Sequence, residues 1–187
     1  MTEKFEVGTV EVPEFEVVEE FTPPQDTQPY GCVQDVPLKA KIQRWGVELL
    51  WAHTPAYTGK ILIRRGDPTY KGRVQYHFNK DETFYLLSGR CRLRWDAGDG
   101  QLSERIMVPG ESVHIPRYAR HSVIALEDCI FLEVSTPHFE DRQNVDEDYG
   151  VDGELDWHFK RPRTDMVVDV LQSIGAGKVE VVGYGKE

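Results

Sequence analysis

GRVQYHFNKDETFYLLSG, residues 72–89, opens and closes on glycine and holds two short runs rich in aromatic and β-branched residues. Asn79, Lys80 and Asp81 separate the runs, a composition that suits a tight turn between antiparallel strands. Side chains two apart on a strand share a face, so Gln75 and His77 point the same way. Glu82 opens the second run, and a tight turn returns it to the level of His77, where the two can meet across the pair.

Working outward, residues 42–137 are a succession of short strand candidates: VELLWAHT, KILIRRG, CRLRWDAGDG, ERIMVPG, SVHIP, HSVIAL and CIFLEVS, punctuated by Gly and Pro. Many short strands at this spacing indicate an all-β sandwich or barrel. Residues 1–40 form an N-terminal arm: Glu alternates with apolar residues up to Phe21, Pro13 interrupts, and Pro23 and Pro24 break the pattern. Such an arm lies on the core or on a neighbouring subunit, and a homodimer would cover its edge strands. Residues 138–187 form a C-terminal segment. Thr164 as N-cap, the apolar positions Met166, Val170, Leu171 and Ile174, and the stop at Gly175 predict a short helix, followed by KVEVV as a last strand.

At 187 residues the chain can bury one core without disulfide support. Its net charge of −10 excludes a nucleic-acid backbone or an anionic membrane surface as the main partner, because both require clustered Lys and Arg. The acids Glu140, Asp141, Asp146, Glu147, Asp148, Asp152, Glu154 and Asp156 crowd one stretch, which reads as a solvated acidic loop. Cys32, Cys91 and Cys129 are odd in number and lack Cys-x-x-Cys spacing, which fits a reducing cytoplasm and neither a disulfide framework nor a thiolate zinc site. The first twenty residues lack the pattern of an export signal, and no apolar run approaches the length of a membrane span.

PGESVHIPRYARH, residues 109–121, brings a third candidate ligand. His121 follows a Gly-to-Pro loop and starts another strand, which would enter from the opposite sheet. His77, Glu82 and His121, with the amide oxygen of Gln75, make a mixed nitrogen and oxygen donor set. It suits one divalent ion of Zn, Mn, Fe, Co or Ni, with positions left for water or substrate. The plainer reading of the histidines is polar barrel residues that hold strands together; for Gln75 it is an inward amide bonded to a ligand or a metal-bound water. His53, His114, His138 and His158 lack a partner at matching spacing.

The run from Gln75 through His77 and Glu82 to Gly89 resembles the first motif of the cupin superfamily, and that from Gly110 through Pro116 to His121 resembles the second. The resemblance covers residues 41–137 and implies a double-stranded β-helix, or jelly-roll barrel. It implies that His77, Glu82 and His121 are metal ligands. Gln75 stands where the first motif usually has His, and Gln-x-His resembles the mannose-6-phosphate isomerase branch, as does Trp45-Gly46 before the barrel. Tyr118 and Ala125 depart from residues common in the second motif, Gly and Asn.

That branch implies a sugar or sugar-phosphate isomerase in which a metal ion stabilises an enediolate and one carboxylate moves a proton. Glu133, the acid in the apolar run CIFLEVS, is the candidate base, with a pKa expected to be raised by burial. A structural ion pair is the competing role. Lys60 and Arg117, with Arg64, are candidates to hold a phosphate or substrate hydroxyls. Two further readings stand beside it: a non-haem iron dioxygenase of a small organic acid, since two His and one carboxylate fit that description, and a sugar-binding module without turnover. All three expect a small polar molecule as partner.

Overall fold

A computed structural model describes residues 15–18, 21, 36, 38–43, 45–66, 72–139 and 141–151. The predicted C-terminal helix and last strand lie outside these residues. Among the described residues twelve strands fall in chain order: β1 Phe15–Val17, β2 Leu38–Gln43, β3 Gly46–His53, β4 Thr58–Arg64, β5 Gln75–His77 and β6 Glu82–Ser88. Then come β7 Cys91–Asp96, β8 Leu102–Met107, β9 Ser112–Ile115, β10 His121–Ala125, β11 Cys129–Ser135 and β12 Arg142–Asn144, with a 3-10 turn at Asp146–Tyr149.

The strands form two facing sheets, ordered β1-β2-β3-β4-β11-β6-β9 and β12-β5-β10-β7-β8. All pairs are antiparallel except β1 with β2. This is an all-β jelly-roll barrel, as the motif order implied. Three strands extend beyond the stretch from which the barrel was read: β1 lies wholly before it, β2 begins at Leu38, and β12 lies within the acidic stretch after residue 137.

Strand alternation sets what faces inward. On β6, Glu82, Phe84 and Leu86 are buried while Thr83, Tyr85 and Leu87 are exposed. On β11 the inward set is Cys129, Phe131, Glu133 and Ser135. The interior therefore has two ends. One is apolar, packed by Leu62, Leu86, Cys91, Leu93, Met107, Ile115, Cys129 and Phe131. Each fully buried side chain of that size contributes about 1.5–3 kcal/mol, so this end holds the sheets together. The other end carries the buried polar residues Thr58, Lys60, His77, Lys80, Glu82, His121, Glu133 and Ser135.

Gly89 ends β6 with φ of 84°, and a Cβ there would lie 2.3 Å from the Asp128 carbonyl oxygen. Both the dihedral and the close strand approach require glycine. Tyr118 adopts φ of 65°, a left-handed position usual for glycine. Its amide donates to the His77 carbonyl at 2.8 Å, tying the turn before β10 to the strand that bears His77.

Candidate metal centre

β5 and β10 belong to one sheet and β6 to the other, so His77 and His121 face Glu82 across the interior. His77 Nε2 lies 3.6 Å and His121 Nε2 3.4 Å from Glu82 Oε1. The donor atoms of the three residues all lie within 4.8 Å of one another. All three side chains are buried.

The outer ring nitrogens determine what the inner ones offer. His121 Nδ1 lies 3.0 Å from the Ala119 carbonyl, which can only accept, so Nδ1 carries the hydrogen. His77 Nδ1 lies 3.0 Å from Asp141 Oδ1 and donates to that carboxylate. Burial lowers the pKa of both imidazoles; for His77 the neighbouring Lys80 lowers it further, against the opposing pull of Glu82 and Asp141. Neutral rings with the hydrogen on Nδ1 turn two Nε2 lone pairs toward a carboxylate oxygen. Glu82 Oε1 itself is buried and accepts no hydrogen bond. Three lone pairs converging in a dry site repel one another unless a cation sits among them.

The charge balance points the same way. Lys80 Nζ bridges Glu82 Oε2 and, at 2.7 Å, Glu133 Oε1. Lys60 Nζ lies 3.2 Å from Glu48 and 3.6 Å from Glu133. Lys80 and Lys60 are thus shared among Glu48, Glu82 and Glu133, and Glu82 Oε1 is left without a hydrogen bond. A divalent ion bound to neutral imidazoles and this oxygen satisfies the residues present. The donors are those that Zn, Mn, Fe, Co and Ni accept.

Gln75 is half-buried and sits opposite His121 in the β5–β10 register, on the same inward face. Lys60 lies across from Glu133 in the β4–β11 register, with its ammonium 5.5 Å from the Phe21 ring and 5.4 Å from the Phe139 ring. Arg117 lies exposed in the turn before β10. Arg64 donates to the Val123 carbonyl at 2.9 Å and stacks over Trp45.

The expectation of a raised pKa for Glu133 is reversed. Burial alone would raise it, but Lys80 and Lys60, aided by hydrogen bonds from Lys80 and Ser135, pull it down to about 2. Lys80 in turn is raised: the Glu133 and Glu82 carboxylates outweigh its burial. Glu133 and Lys60 therefore sit in one buried ion-pair network with Lys80 and Glu48.

Two residues of the site escaped the sequence reading. Lys80 reads as an ordinary turn residue, and nothing in composition or spacing marks it. Asp141 lies in the acidic stretch taken as solvated. Its Oδ1 accepts from His77, while Oδ2 accepts the amides of Asn79 at 2.5 Å and Lys80 at 2.9 Å. Nor is Asp146 solvated: it is buried and accepts the Val74 amide at 2.7 Å. The signal that could have found the two aspartates is an extra strand after β11, since β12 pairs with β5 and carries Asp141 to its end.

No protein-family model matches the chain, and no curated protein matches it. Among solved structures it is similar to the capsular polysaccharide assembling protein CapF from Staphylococcus aureus, with 21% identity and a TM-score of 0.49 over 57% of this chain and 34% of that one. It is also similar to KdgF from Halomonas sp., with 19% identity and a TM-score of 0.44 over 54% of this chain and 86% of that one. Hydroxypropylphosphonic acid epoxidase from S. wedmorenis gives 15% identity and a TM-score of 0.49, over 60% and 63%. This chain spans about a third of the length of CapF. Among the described residues, no helix is long and apolar enough to cross a membrane.

Proposed function

We propose that this chain is a metal-dependent enzyme acting on a small organic anion at the His77–Glu82–His121 centre, and that the chemistry is oxidative. The observation that carries the proposal is the convergence of two imidazole Nε2 atoms on the unpartnered Glu82 Oε1. A metal held by two His and one carboxylate supplies a Lewis acid and, when it is iron, oxygen chemistry with open positions for substrate. A divalent ion would offset the negative charge that Glu82 and Asp141 bring to the site and offer an electrophilic centre to an anionic group. Glu133 Oε1 is engaged by Lys80 at 2.7 Å and Lys60 at 3.6 Å, which supports chemistry that does not depend on this carboxylate as a base.

Isomerisation of a sugar or sugar phosphate is the second reading, favoured by Gln75, whose amide faces inward beside His121 where it could bond a substrate hydroxyl. The two are separated by loading the protein with Fe(II) and measuring oxygen uptake over a panel of small hydroxy and keto acids. In parallel, Mn- or Zn-loaded protein is tested for solvent deuterium exchange into aldose and ketose phosphates. Oxygen uptake that disappears in Glu82→Ala supports the first reading. Exchange without oxygen uptake replaces it with the second, and a protein that takes up no metal sinks both.

A further inference from the structure

We propose that Lys80 is a positioning residue that restricts Glu82 to a single ligand oxygen, a role that rests on the metal reading above. A carboxylate can offer a metal one oxygen or both, and both modes are common for carboxylate ligands. Here the two oxygens of Glu82 have opposite surroundings. Oε1 faces the imidazoles without a hydrogen bond, whereas Oε2 is taken by Lys80 Nζ.

The lysine is held at both ends. Its ammonium also contacts Glu133 Oε1 at 2.7 Å, and Glu133 is itself fixed by Ser135 Oγ at 3.0 Å and by Lys60 at 3.6 Å. Its main-chain amide donates to Asp141 Oδ2 at 2.9 Å, the same carboxylate whose other oxygen orients His77. Turning Oε2 toward the imidazoles would leave a buried ammonium with one carboxylate in place of two, and burial makes that costly. Glu82 thus presents Oε1 alone, and a position that its second oxygen would fill stays open for an exogenous ligand. The spacing explains why the lysine is placed here: Lys80 and Glu82 are two residues apart across the end of the β5–β6 turn, so the side chain that precedes the ligand folds back onto it.

The test uses the full-length protein loaded with Co(II), whose visible bands report coordination, and azide as the anionic probe. In Lys80→Met/Glu133→Gln, a double substitution that leaves net charge unchanged, the Co(II) bands should shift as the second oxygen joins. The azide dissociation constant should rise at least tenfold. Lys80→Met alone, in which Lys60 still faces Glu133, gives a second route if the double variant does not fold, and it should show the same change. Lys80→Arg, which can still bridge both carboxylates, should keep the wild-type bands. A purely structural lysine would lower the melting temperature and leave bands and azide affinity superimposable on wild type, which would overturn the proposal alone. If wild-type protein shows no bound Co(II), the metal reading fails and the role of Lys80 falls with it.

Discussion

Asp141 and His77, 64 positions apart in the chain, meet at 3.0 Å, and that contact fixes which nitrogen of His77 faces Glu82. The same carboxylate binds the β5–β6 turn through its other oxygen, and the backbone amides of that turn are the largest influence holding its pKa below the ordinary value against burial. A single side chain beyond the presumed barrel therefore sets the ring orientation and the turn together.

Asp141→Asn should weaken metal binding by about 10–100-fold while the three ligands remain. The loss is measured by competition with a chelating dye, alongside circular dichroism to show that the barrel is intact. Affinity equal to wild type would mean that His77 is oriented by something else.

His77→Ala and His121→Ala should each abolish stoichiometric metal binding, because the remaining donors leave the ion poorly compensated. Both variants should keep the all-β circular dichroism spectrum, since the apolar core lies at the other end of the barrel. One metal ion per chain retained in either variant refutes the ligand assignment.

Glu133→Gln should act on stability before rate. Breaking a buried pair by removing one partner costs about 3–5 kcal/mol, read as a drop in the urea midpoint at neutral pH. The folded pKa of Glu133 is depressed to about 2 from an ordinary 4.5. Its contribution is therefore complete above the ordinary value and is lost as pH falls toward the folded one. Wild type should lose stability over that window, and the part of the slope due to Glu133 should be missing in the variant. Equal slopes would show that the carboxylate is not held ionised by its lysines.

Much of this was readable from residue order. His77, Glu82 and His121 are legible as candidate ligands from residue type and motif spacing, but their arrangement is not. The turn reads as a hairpin with His121 entering from the opposite sheet, whereas β5 pairs with β10 and Glu82 faces both from the other sheet. The strand carrying Glu133 and its inward face follow from the period of two on strands. The sign of its pKa shift did not, because that depends on Lys60 across the register and on Lys80 in a turn, both decided by tertiary packing. Asp141 was hidden for a related reason. Composition assigns a run of acids to solvent, and only the pairing of β12 with β5 brings one of them to a buried imidazole.

Gly89→Ala should destabilise the fold by about 1–3 kcal/mol, the usual scale for backbone held in a rare conformation. The added methyl would also meet the Asp128 carbonyl. Urea denaturation with an unchanged m-value is the check. A midpoint like that of wild type would show that the β6 end relaxes freely.

The sealed end of the barrel carries its own clock. Cys91 and Cys129 are free thiols with no exposed surface, and burial pushes their pKa values up to about 11 and about 12. Near neutral pH they are protonated and shielded, so an alkylating reagent reaches them only when the strands part. Their labelling rate, read by peptide mapping apart from that of Cys32, thus times the opening of the hydrophobic half. Comparing that rate with and without metal would reveal whether an ion at the polar half steadies strands it does not touch.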